Sequence, residues 1–477
     1  MNLKDFLQDD EIPAIEFSGL SEMSTEVEEG DVFVAVGSLS QIREHILEAE
    51  CSGAIAAVVD QSLQLSLTGL KLPVFRLAGL AEKRAALASK FFCEPSSDLD
   101  CIGITGTNGK TSVAYWIADL SSRLDEKIGY SGTLGWGNLN DLKPTQLTTP
   151  NPIEIQRRLA WFVRKDFKGV AIEVSSHALD QGRTSAIKFD TGVFTNLSRD
   201  HLDYHITMAA YAKSKAKLFE EYDLRNAVVC IDDQMGKELV KTLSSDVLTY
   251  GAKGDISWTL QLNSNGHKVT WNTPWGTFKT ALSVFSEFSV ANLAAAIGVL
   301  LKSGISTDKI VLSIEKIRQV PGRMEAISLE DGKGPKVIVD FAHTPSALRA
   351  VLKSLRVRNK GRVISVVGCG GDRDTGKRPQ MGGVAAALSD LVWFTSDNPR
   401  SEDPGSIIDQ MMFDLPTDNF YAVIDRETAI MEAISEAEKE DIVVLFGKGD
   451  ESTQELNGVY LPFSDKEVAK NILRSLG

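Results

Sequence analysis

The stretch that decides the fold is IGITGTNGKTSVAYW, residues 102–116. A short apolar run, a glycine-containing turn and a helix-favouring segment follow one another, which predicts strand, loop and helix in that order. The turn ends in Gly109, Lys110 and Thr111, like the phosphate loop G-x-x-x-x-G-K-[ST], but Ile104 stands where that pattern has its first glycine. The stretch is therefore either a phosphate cradle of another kind or a glycine-rich turn that contains a lysine.

The strand–turn–helix context favours the phosphate cradle. Backbone N–H groups at the N-terminus of a helix bind anions, and Lys110 would add positive charge. The hydroxyl of Thr111 or Ser112 would contact Mg²⁺. The residues predicted to hold the phosphates are Gly106, Thr107, Asn108, Gly109, Lys110, Thr111 and Ser112.

The composition is that of a globular protein, and 477 residues predict roughly two to four domains. The net charge of −14 argues against a general binder of nucleic acid or anionic membranes. The five cysteines form no C-x-x-C pair, which predicts free thiols in a reducing compartment. The N-terminal stretch lacks the apolar core of a signal peptide, and the apolar run at 290–301 is too short to span a bilayer, so we expect a cytoplasmic protein.

Three regions of the chain have different patterns, and together they predict an α/β fold with three domains. Residues 1–98 predict a small α/β domain. Residues 99–322 predict a mostly parallel sheet of the phosphate-loop ATPase kind, interrupted by an antiparallel pattern at 255–282. Residues 323–477 alternate strands and helices again and predict a Rossmann-like, doubly wound sheet.

Carboxylates and imidazoles collect at the predicted carboxyl ends of three strands. The stretches IEVSSHAL (172–179), TNLSRDHLDYH (195–205) and DFAHTPSAL (340–348) supply Glu173, His177, Arg199, Asp200, His201, Asp203, His205, Asp340 and His343. Four of the six histidines lie there, which favours a functional site. Glu173 and Thr111 suit Mg²⁺, which prefers oxygen ligands. For His177 a position in the core is favoured.

Five motifs occur in one order, namely GITGTNGKTS, EVSSHAL, NLSRDHLDYH, DFAHTPSAL and GCGGDRDTGKRPQMG. Together they resemble the Mur ligases of peptidoglycan synthesis, from about residue 20 to the C-terminus. That family has the loop form G-T-N-G-K-[ST], so the resemblance favours a true phosphate cradle. Folylpolyglutamate synthetases share the loop, but NLSRDHLDYH together with GCGGDRD is more specific.

The resemblance implies an ATP-dependent ligase that forms an amide bond. In the family a substrate carboxylate attacks the γ-phosphate of ATP, and an amino acid's amine then attacks the acyl phosphate. Lys110 and Thr111 are implied to hold the β- and γ-phosphates and one Mg²⁺, and Glu173 and His201 to ligate a second Mg²⁺.

The family also uses a carbamylated lysine (N6-carboxylysine). Lys215 in YAKSKAKLF (211–219) is the residue that the resemblance indicates, because Tyr211 and Phe219 flank it symmetrically. Lys213 and Lys217 remain alternatives. Without the resemblance, this segment is typical of a solvated basic helix face.

The resemblance also assigns residues to the two larger substrates. For ATP they are Asn292 of SVANL, Arg323 of PGRME, Asp340 and His343. Phe341 stands where relatives usually have Tyr. For a UDP-muramoyl-dipeptide they are Ser24, Thr148, Thr149, Ser175, Gln181 and Arg183. The N-terminal region departs from the family pattern D-S-R, since Met23 and Thr25 flank Ser24 in MSTEVEEGD (23–31).

TSDNPRSEDP (395–404) bears on the amino acid that is added. In third-step Mur ligases an arginine in this motif marks enzymes that add meso-diaminopimelate, and the planar fork of Arg400 suits a distal carboxylate. The residues implied to bind this amino acid are Arg373, Asp397, Asn398, Arg400, Gly447 and Glu451. Asp450 in GKGDE replaces the usual His, so it either strengthens contact with the distal ammonium or disturbs the loop.

The resemblance thus implies three substrates, UDP-N-acetylmuramoyl-L-alanyl-D-glutamate, meso-diaminopimelate and ATP, with Mg²⁺ as cofactor and a monomer as the expected state. The alternatives are L-lysine as the amino acid, a folylpolyglutamate synthetase, or a nucleotide-binding regulatory protein with a degenerate site. Closure of the domains is expected, because Lys110 and Arg400 lie in different predicted domains and must meet.

Overall fold

The computed structural model describes residues 1–476 except 65, 67, 125, 264–265, 283–285, 328–333 and 416. The described residues form three separate α/β units, each built on its own sheet, which confirms the predicted fold class. The limits at 98/99 and 322/323 stay predictions. Within the described ranges, no helix has the length and apolar character needed to cross a membrane.

The N-terminal unit is a small parallel sheet covered by helices. Its elements are α1 (Leu3–Leu7), β1 (Gly19–Ser21), β2 (Asp31–Ala35), α2 (Leu39–Cys51), β3 (Ala56–Asp60), β4 (Val74–Leu77) and α3 (Leu80–Phe91). The strands pair in parallel in the order β1-β2-β3-β4. The fully buried run DVFVA in β2 is typical of a parallel strand covered on both faces.

The central unit contains an eight-stranded sheet and a three-stranded antiparallel sheet. Its elements are β5 (Asp100–Thr105), α4 (Lys110–Ser122), β6 (Ile128–Gly132), β7 (Gly135–Asn138), β8 (Asp141–Lys143), α5 (Pro152–Arg164), β9 (Gly169–Glu173), α6 (Ser176–Asp180), β10 (Thr191–Phe194), α7 (Leu202–His205), α8 (Met208–Glu220), β11 (Asn226–Cys230), α9 (Gln234–Thr242), β12 (Asp246–Tyr250), β13 (Ser257–Asn263), β14 (Gly266–Thr273), β15 (Gly276–Leu282), α10 (Glu287–Lys302) and α11 (Thr307–Ile314). The antiparallel pattern predicted at 255–282 is confirmed as β13-β14-β15.

The larger central sheet has the order β12-β11-β10-β5-β9-β6-β7-β8, and only β7 and β8 pair antiparallel to their neighbours. Helices α4 and α10 pack on one face, where the apolar run at 290–301 is a buried core helix. Helices α5 and α8 pack on the other. The strands β10, β5 and β9 are adjacent, so their carboxyl-end loops lie side by side.

The C-terminal unit is a doubly wound sheet. Its elements are β16 (Glu325–Ile327), β17 (Lys336–Asp340), α12 (Pro345–Arg358), β18 (Val363–Val367), α13 (Arg378–Leu388), β19 (Leu391–Phe394), α14 (Pro404–Met411), β20 (Phe420–Ala422), α15 (Arg426–Glu436), β21 (Ile442–Phe446), β22 (Thr453–Leu456), β23 (Val459–Pro462) and α16 (Asp465–Leu476). The six-stranded order is β16-β17-β21-β18-β19-β20, parallel except for β16, and β22 pairs with β23 as a hairpin. The predicted acceptor motifs follow β18, β19 and β21.

Candidate active site

The loops of the central and C-terminal sheets line one cavity of about 880 Å³. Its wall includes the phosphate loop, Glu173, His201, Arg323 and Arg400, so residues from both predicted domains meet there. Most of the predicted site residues line it. Those described residues that were predicted but do not line it are Ser24, Gly106, Gln181, Arg199, His205 and Lys215.

The phosphate loop passes so close to its neighbours that two positions require glycine. Gly106 has φ +146°, and a Cβ there would lie 1.9 Å from Thr195 Oγ1. Gly109 has φ +90°, and a Cβ there would lie 2.3 Å from Asn292 Oδ1. Both values are far below any van der Waals contact, and the φ angles favour glycine as well. Asn292, predicted from SVANL, is therefore placed directly against the loop.

Two lysine side chains converge on one backbone oxygen in this loop. Lys110 Nζ donates to Gly106 O at 2.9 Å, and Lys215 Nζ donates to the same oxygen at 2.8 Å. Lys215 is 1% exposed, and burial together with the nearby Lys110 holds its pKa well below its usual range. Burial also lowers the pKa of Lys110. Neither Lys110 nor Lys215 forms an ion pair with any residue that the structure describes.

Glu173 is fully buried at the end of β9, and both of its carboxylate oxygens accept hydrogen bonds. Tyr130 Oη donates to Oε1 at 2.6 Å and Thr133 N at 2.9 Å, while Thr111 Oγ1 donates to Oε2 at 2.9 Å. A carboxylate and a threonine hydroxyl, both oxygen donors, thus lie together at the start of α4. Among the described residues no three His, Cys, Asp or Glu side chains are gathered as a metal site.

Asp200 connects the two imidazoles predicted for the site. Its Oδ2 lies 3.4 Å from His201 Nε2 and 3.4 Å from His343 Nε2, and its Oδ1 lies 3.1 Å from Lys377 Nζ. Burial alone would raise the pKa of Asp200, but Lys377 and the hydrogen bond with His343 outweigh it and hold the pKa well below its usual range. Burial lowers the pKa of His201 to about 3, so its imidazole is neutral at physiological pH.

His177 is half-buried on the cavity wall, not in the core as favoured from sequence. Its ring packs edge-on against that of His201, with centroids 4.9 Å apart. His205 is buried, and its Nε2 lies 2.9 Å from Ser176 Oγ. These contacts form an aromatic patch beside Lys215, because Tyr211 lies against both His205 and the lysine.

Direct contacts join the central and C-terminal units at the cavity edge. Arg199 donates from Nε and Nη2 to the two oxygens of Asp374 at 3.0 and 2.9 Å. Asn108 Nδ2, in the phosphate loop, donates to Ser346 Oγ at 3.2 Å. The Arg199–Asp374 and Lys377–Asp200 contacts hold the GCGGDRDTGKRPQMG segment against NLSRDHLDYH, and the Asn108–Ser346 contact holds the phosphate loop against DFAHTPSAL.

The predicted amino-acid pocket is a set of paired charges. Arg400 Nε lies 3.0 Å from Glu455 Oε2, and its Nη1 donates to Gly371 O at 2.7 Å. Glu451 Oε2 accepts from Lys448 Nζ at 2.8 Å and from Asn398 Nδ2 at 2.9 Å. The remaining residues predicted for this pocket line the same part of the cavity; they are Arg373, Asp397 and Gly447.

Asp450, which replaces the usual His, does not extend toward the predicted ammonium site. Its Oδ1 lies 3.3 Å from Arg323 Nη1. The Arg323 guanidinium stacks on Phe341, 4.1 Å from the ring centroid, so the phenylalanine keeps a stacking role without a hydroxyl. Asp340 accepts from Met324 N at 2.7 Å and Ala342 N at 2.8 Å and so holds the turn that carries Arg323.

The residues predicted for the UDP-muramoyl-dipeptide form a connected group in the central unit. Thr148 Oγ1 lies 3.1 Å from Thr133 Oγ1, and Thr149 Oγ1 accepts from Ser175 N at 3.0 Å. Arg183 donates to Thr149 O at 2.9 Å and to Gln181 Oε1. Ser24 lies apart, in the N-terminal unit, where it donates to Glu48 Oε2 at 2.6 Å.

Comparison with known proteins agrees with this arrangement. The chain matches the Mur ligase middle domain over residues 104–300 and the Mur ligase, glutamate ligase domain, over residues 322–449. It is 41% identical over 458 residues to the UDP-N-acetylmuramoyl-L-alanyl-D-glutamate–2,6-diaminopimelate ligase of Ectopseudomonas mendocina (strain ymp), covering 94% of this chain and 93% of the relative. The ligase of the same name from Coxiella burnetii is 40% identical over 464 residues, covering 94% of each chain.

The chain belongs to the Mur ligase family.

Solved structures support the same assignment. The structure of a UDP-N-acetylmuramoyl-L-alanyl-D-glutamate–2,6-diaminopimelate ligase is 31% identical, with a TM-score of 0.66, and the match covers 100% of this chain and 99% of that one. Folylpolyglutamate synthase from Mycobacterium tuberculosis is 18% identical with a TM-score of 0.64, covers 83% of this chain and 94% of that one, and shares the fold. The family resemblance and the prediction of an amide-forming ligase are therefore confirmed.

Several residues that line the cavity or contact its lining residues were not predicted from the sequence. They are the two further donors to Glu173 and the partners of the predicted charges, namely Tyr130, Thr133, Asp374, Lys377, Lys448 and Glu455. Asp374 and Lys377 lie inside the GCGGDRDTGKRPQMG motif, so that motif contained the signal. Tyr130 and Thr133 lie in no recognised sequence motif. The pairing of β6 with β9 in the folded chain places them beside Glu173.

Proposed function

We propose that the enzyme adds meso-diaminopimelate to UDP-N-acetylmuramoyl-L-alanyl-D-glutamate, with cleavage of ATP to ADP and phosphate. The observation that carries this proposal is one cavity that contains both a phosphate loop and a pocket with Arg400 and Glu451. The two relatives that are about 40% identical over nearly their whole length have names that specify this pair of substrates.

The phosphate loop would bind the β- and γ-phosphates of ATP. Backbone N–H groups at the start of α4 and the ammonium of Lys110 supply the positive charge. Arg323 lies across the loop from Lys110, with Nη2 3.4 Å from Thr111 Oγ1, and would contact the same phosphates. A Mur ligase of Thermotoga maritima, 18% identical, has been solved in complex with ADP, which supports nucleotide binding by this fold.

The donor set at Glu173 fits Mg²⁺. Thr111 and Glu173 offer oxygen ligands, and Mg²⁺ needs few protein ligands because phosphates and water complete its shell. His201, with its neutral imidazole, would be a further ligand. When bound, Mg²⁺ would neutralise the negative charge on the phosphates. Thr111, Glu173 and His201 would orient the phosphates for in-line attack.

The substrate's D-glutamyl carboxylate would attack the γ-phosphorus, breaking its bond to ADP and forming an acyl phosphate. The amine of diaminopimelate would then attack the acyl carbon, releasing phosphate and a proton. Lys110 and Arg323 would stabilise the charge that moves in both steps. Thr148, Thr149, Ser175, Gln181 and Arg183 would hold the muramoyl-dipeptide, with Ser24 contributing from the N-terminal unit.

Lys215 would carry the carbamate. Two ammonium groups on one carbonyl oxygen repel each other in a buried site, which favours a neutral amine on Lys215. A neutral amine reacts with CO₂ to form a carbamate and release a proton. The product is an anion, which would turn the repulsion by Lys110 into attraction. Lys213 is exposed and Lys217 pairs with Asp180, so neither has these surroundings.

Arg400 decides between the two candidate amino acids. Diaminopimelate carries a second carboxylate that the guanidinium can bind, whereas the distal ammonium of L-lysine would be repelled. Glu451 would face the distal ammonium of diaminopimelate, and Asn398, Asp397, Arg373 and Gly447 would shape the pocket. ATP binding would also involve Asn292, Asp340 and His343.

Three further parts of this proposal concern the whole chain. We propose three domains, a UDP-substrate domain at 1–98, an ATP domain at 99–322 and an amino-acid domain at 323–477. We also propose a monomer that acts in the cytoplasm. Sedimentation of the purified chain with and without substrates tests the monomer.

The test is phosphate release from ATP in the presence of UDP-N-acetylmuramoyl-L-alanyl-D-glutamate, with meso-diaminopimelate or L-lysine as acceptor. We expect release with diaminopimelate and little with lysine. In Arg400→Ala the KM for diaminopimelate should rise about 10–100-fold, as expected for loss of a bidentate contact. A preference for lysine would contradict the assignment of Arg400, and no release with either acceptor would contradict the proposed reaction.

A further inference from the structure

The loop at 447–451 places two neighbouring carboxylates in opposite surroundings. Glu451 accepts from Lys448 and Asn398, in the part of the cavity proposed to bind the amino acid. Asp450 instead pairs with Arg323, whose other edge reaches Thr111 in the phosphate loop. A dipeptide therefore connects the amino-acid pocket with the phosphate site.

The backbone forces Asp450 into this position. Gly322 has φ +63°, and a Cβ there would lie 2.2 Å from Asp450 N. Gly449 has φ +57°, and a Cβ there would lie 2.8 Å from Gly322 O. Because neither glycine has a side chain, residues 449–450 pack directly on residues 322–323. The pairing of Asp450 with Arg323 thus follows from close backbone contact and not from chance proximity of two long side chains.

Three contacts hold the guanidinium of Arg323. Its plane lies on Phe341, its Nη1 donates to Gly322 O at 3.1 Å, and the same nitrogen lies 3.3 Å from Asp450 Oδ1. These contacts use the Nη1 edge and leave Nη2 toward Thr111 Oγ1 at 3.4 Å. Since a guanidinium is planar and rigid, fixing one edge fixes the direction of the other.

We propose that Asp450 is a positioning residue that aims Arg323 at the phosphates of ATP and so links the amino-acid loop to the nucleotide site. This inference rests on the proposed function, because it takes Arg323 to contact those phosphates. Asp450 acts through Arg323 and does not itself touch a substrate.

The test measures nucleotide binding directly, by calorimetry of the full chain with a non-hydrolysable ATP analogue and Mg²⁺. In Asp450→Ala we expect the Kd to rise about 5–10-fold, the range for a lost charge-assisted hydrogen bond. Asp450→Asn keeps an oxygen acceptor and should recover most of the affinity. The matched control is Asp414→Asn, which removes an exposed carboxylate from the same unit and should leave the Kd unchanged.

A double-mutant cycle separates positioning from a general structural effect. In the Arg323→Ala background, Asp450→Ala should change the Kd by less than about twofold, because its partner is already absent. Unchanged or tighter nucleotide binding in Asp450→Ala overturns the proposal, as does a rise confined to the KM for the amino acid. The wild-type chain could bind the ATP analogue and yet form no amide bond with any amino acid. That result would contradict the proposed reaction, whereas the Kd of the Asp450 variants would still test the role of Asp450.

Discussion

The central and C-terminal walls of the cavity differ in whether their cationic side chains form ion pairs. On the central side, Lys110 of the cavity wall and the buried Lys215 behind it donate to one carbonyl oxygen, and neither lysine forms an ion pair with a described residue. On the C-terminal wall, three cations have a carboxylate partner, in the pairs Arg323–Asp450, Arg400–Glu455 and Lys448–Glu451. The two central lysines therefore lack an ion-pair partner among the described residues, although Glu173 and Asp200 line the same wall, whereas most cations of the C-terminal wall are paired.

This difference corresponds to the two kinds of ligand proposed for the site. A lysine without an ion-pair partner in a partly buried site, such as Lys110, attracts phosphates strongly, because the ligand supplies the missing negative charge. A balanced wall attracts no net charge, but it can exchange its own pairs for the carboxylate and ammonium of a zwitterion. The comparison teaches that one cavity can bind an anion and a zwitterion at different places. Cations without an ion pair favour the anion, and cations that already have a carboxylate partner favour the zwitterion.

The largest effect is expected on the central wall, at Lys215. Under the proposed carbamylation, Lys215→Ala removes an anion beside the phosphates, and kcat should fall about 10²–10³-fold, as for loss of a preorganised electrostatic group. Phosphate release measures this effect, and ¹³C NMR of the wild-type chain in labelled bicarbonate should show a carbamate signal. The control is Lys213→Ala, an exposed residue of the same helix. If Lys215→Ala keeps more than about a tenth of the wild-type activity, a carbamate on Lys215 does not have the proposed role in catalysis.

The next largest effect is expected at the contact between the central and C-terminal units. Asp374→Asn weakens the bidentate contact with Arg199 that joins the two units, so kcat/KM should fall about 10-fold, which corresponds to about 1.4 kcal/mol. Steady-state kinetics with Arg199→Gln and the double variant should show non-additive losses. Glu467→Gln, which breaks an exposed pair with Lys470, is the control. Additive losses would mean that the two residues do not act as one contact.

A smaller effect is expected on the balanced wall. Glu455→Gln keeps an oxygen beside Arg400 but removes the competing charge, so the KM for diaminopimelate should fall about threefold. Acceptor titrations at saturating ATP check this value. Glu436→Gln, which neutralises a partner of Arg362 elsewhere in the unit, should leave the KM unchanged. A higher KM in Glu455→Gln would show that Glu455 orients Arg400 rather than balancing its charge.

The last prediction concerns stability and not activity, at a buried pair outside both walls. Burial raises the pKa of Glu22 to about 7, although Arg84 opposes the shift. The folded chain thus holds a proton on Glu22 that the unfolded chain releases above its ordinary pKa of 4.5, so the contribution of Glu22 to stability is fully present below 4.5 and is lost as pH rises through about 7. The loss should be about 1–3 kcal/mol.

Thermal unfolding from pH 5 to pH 8 measures this dependence. Glu22→Gln should flatten it and raise the midpoint at pH 8, whereas Glu44→Gln, at an exposed position, should follow the wild-type curve. Equal slopes for Glu22→Gln and the wild type would show that pairing with Arg84 keeps Glu22 ionised.

Much of the fold could be predicted because its signals are local. The apolar run before Gly106 and the helix after Gly109 specify strand, loop and helix within a few residues, and β5 and α4 lie where the pattern places them. The alternation of strands and helices predicts parallel sheets, and the antiparallel pattern at 255–282 is equally local. The site residues that could be predicted lie within motifs. These motifs follow strand ends, which a parallel sheet brings together at one edge.

The sequence by itself determined the order of elements, the glycines that the phosphate loop requires and the membership of the family. Tertiary structure alone decided which charges are paired. Lys110 and Lys215 meet on Gly106 O, and Asp450 meets Arg323 and not the amino-acid pocket, because strand order and close backbone packing bring distant segments within 3–4 Å. Hydrogen bonds and ion pairs depend on such distances, and distances between remote segments leave no periodic trace in a sequence.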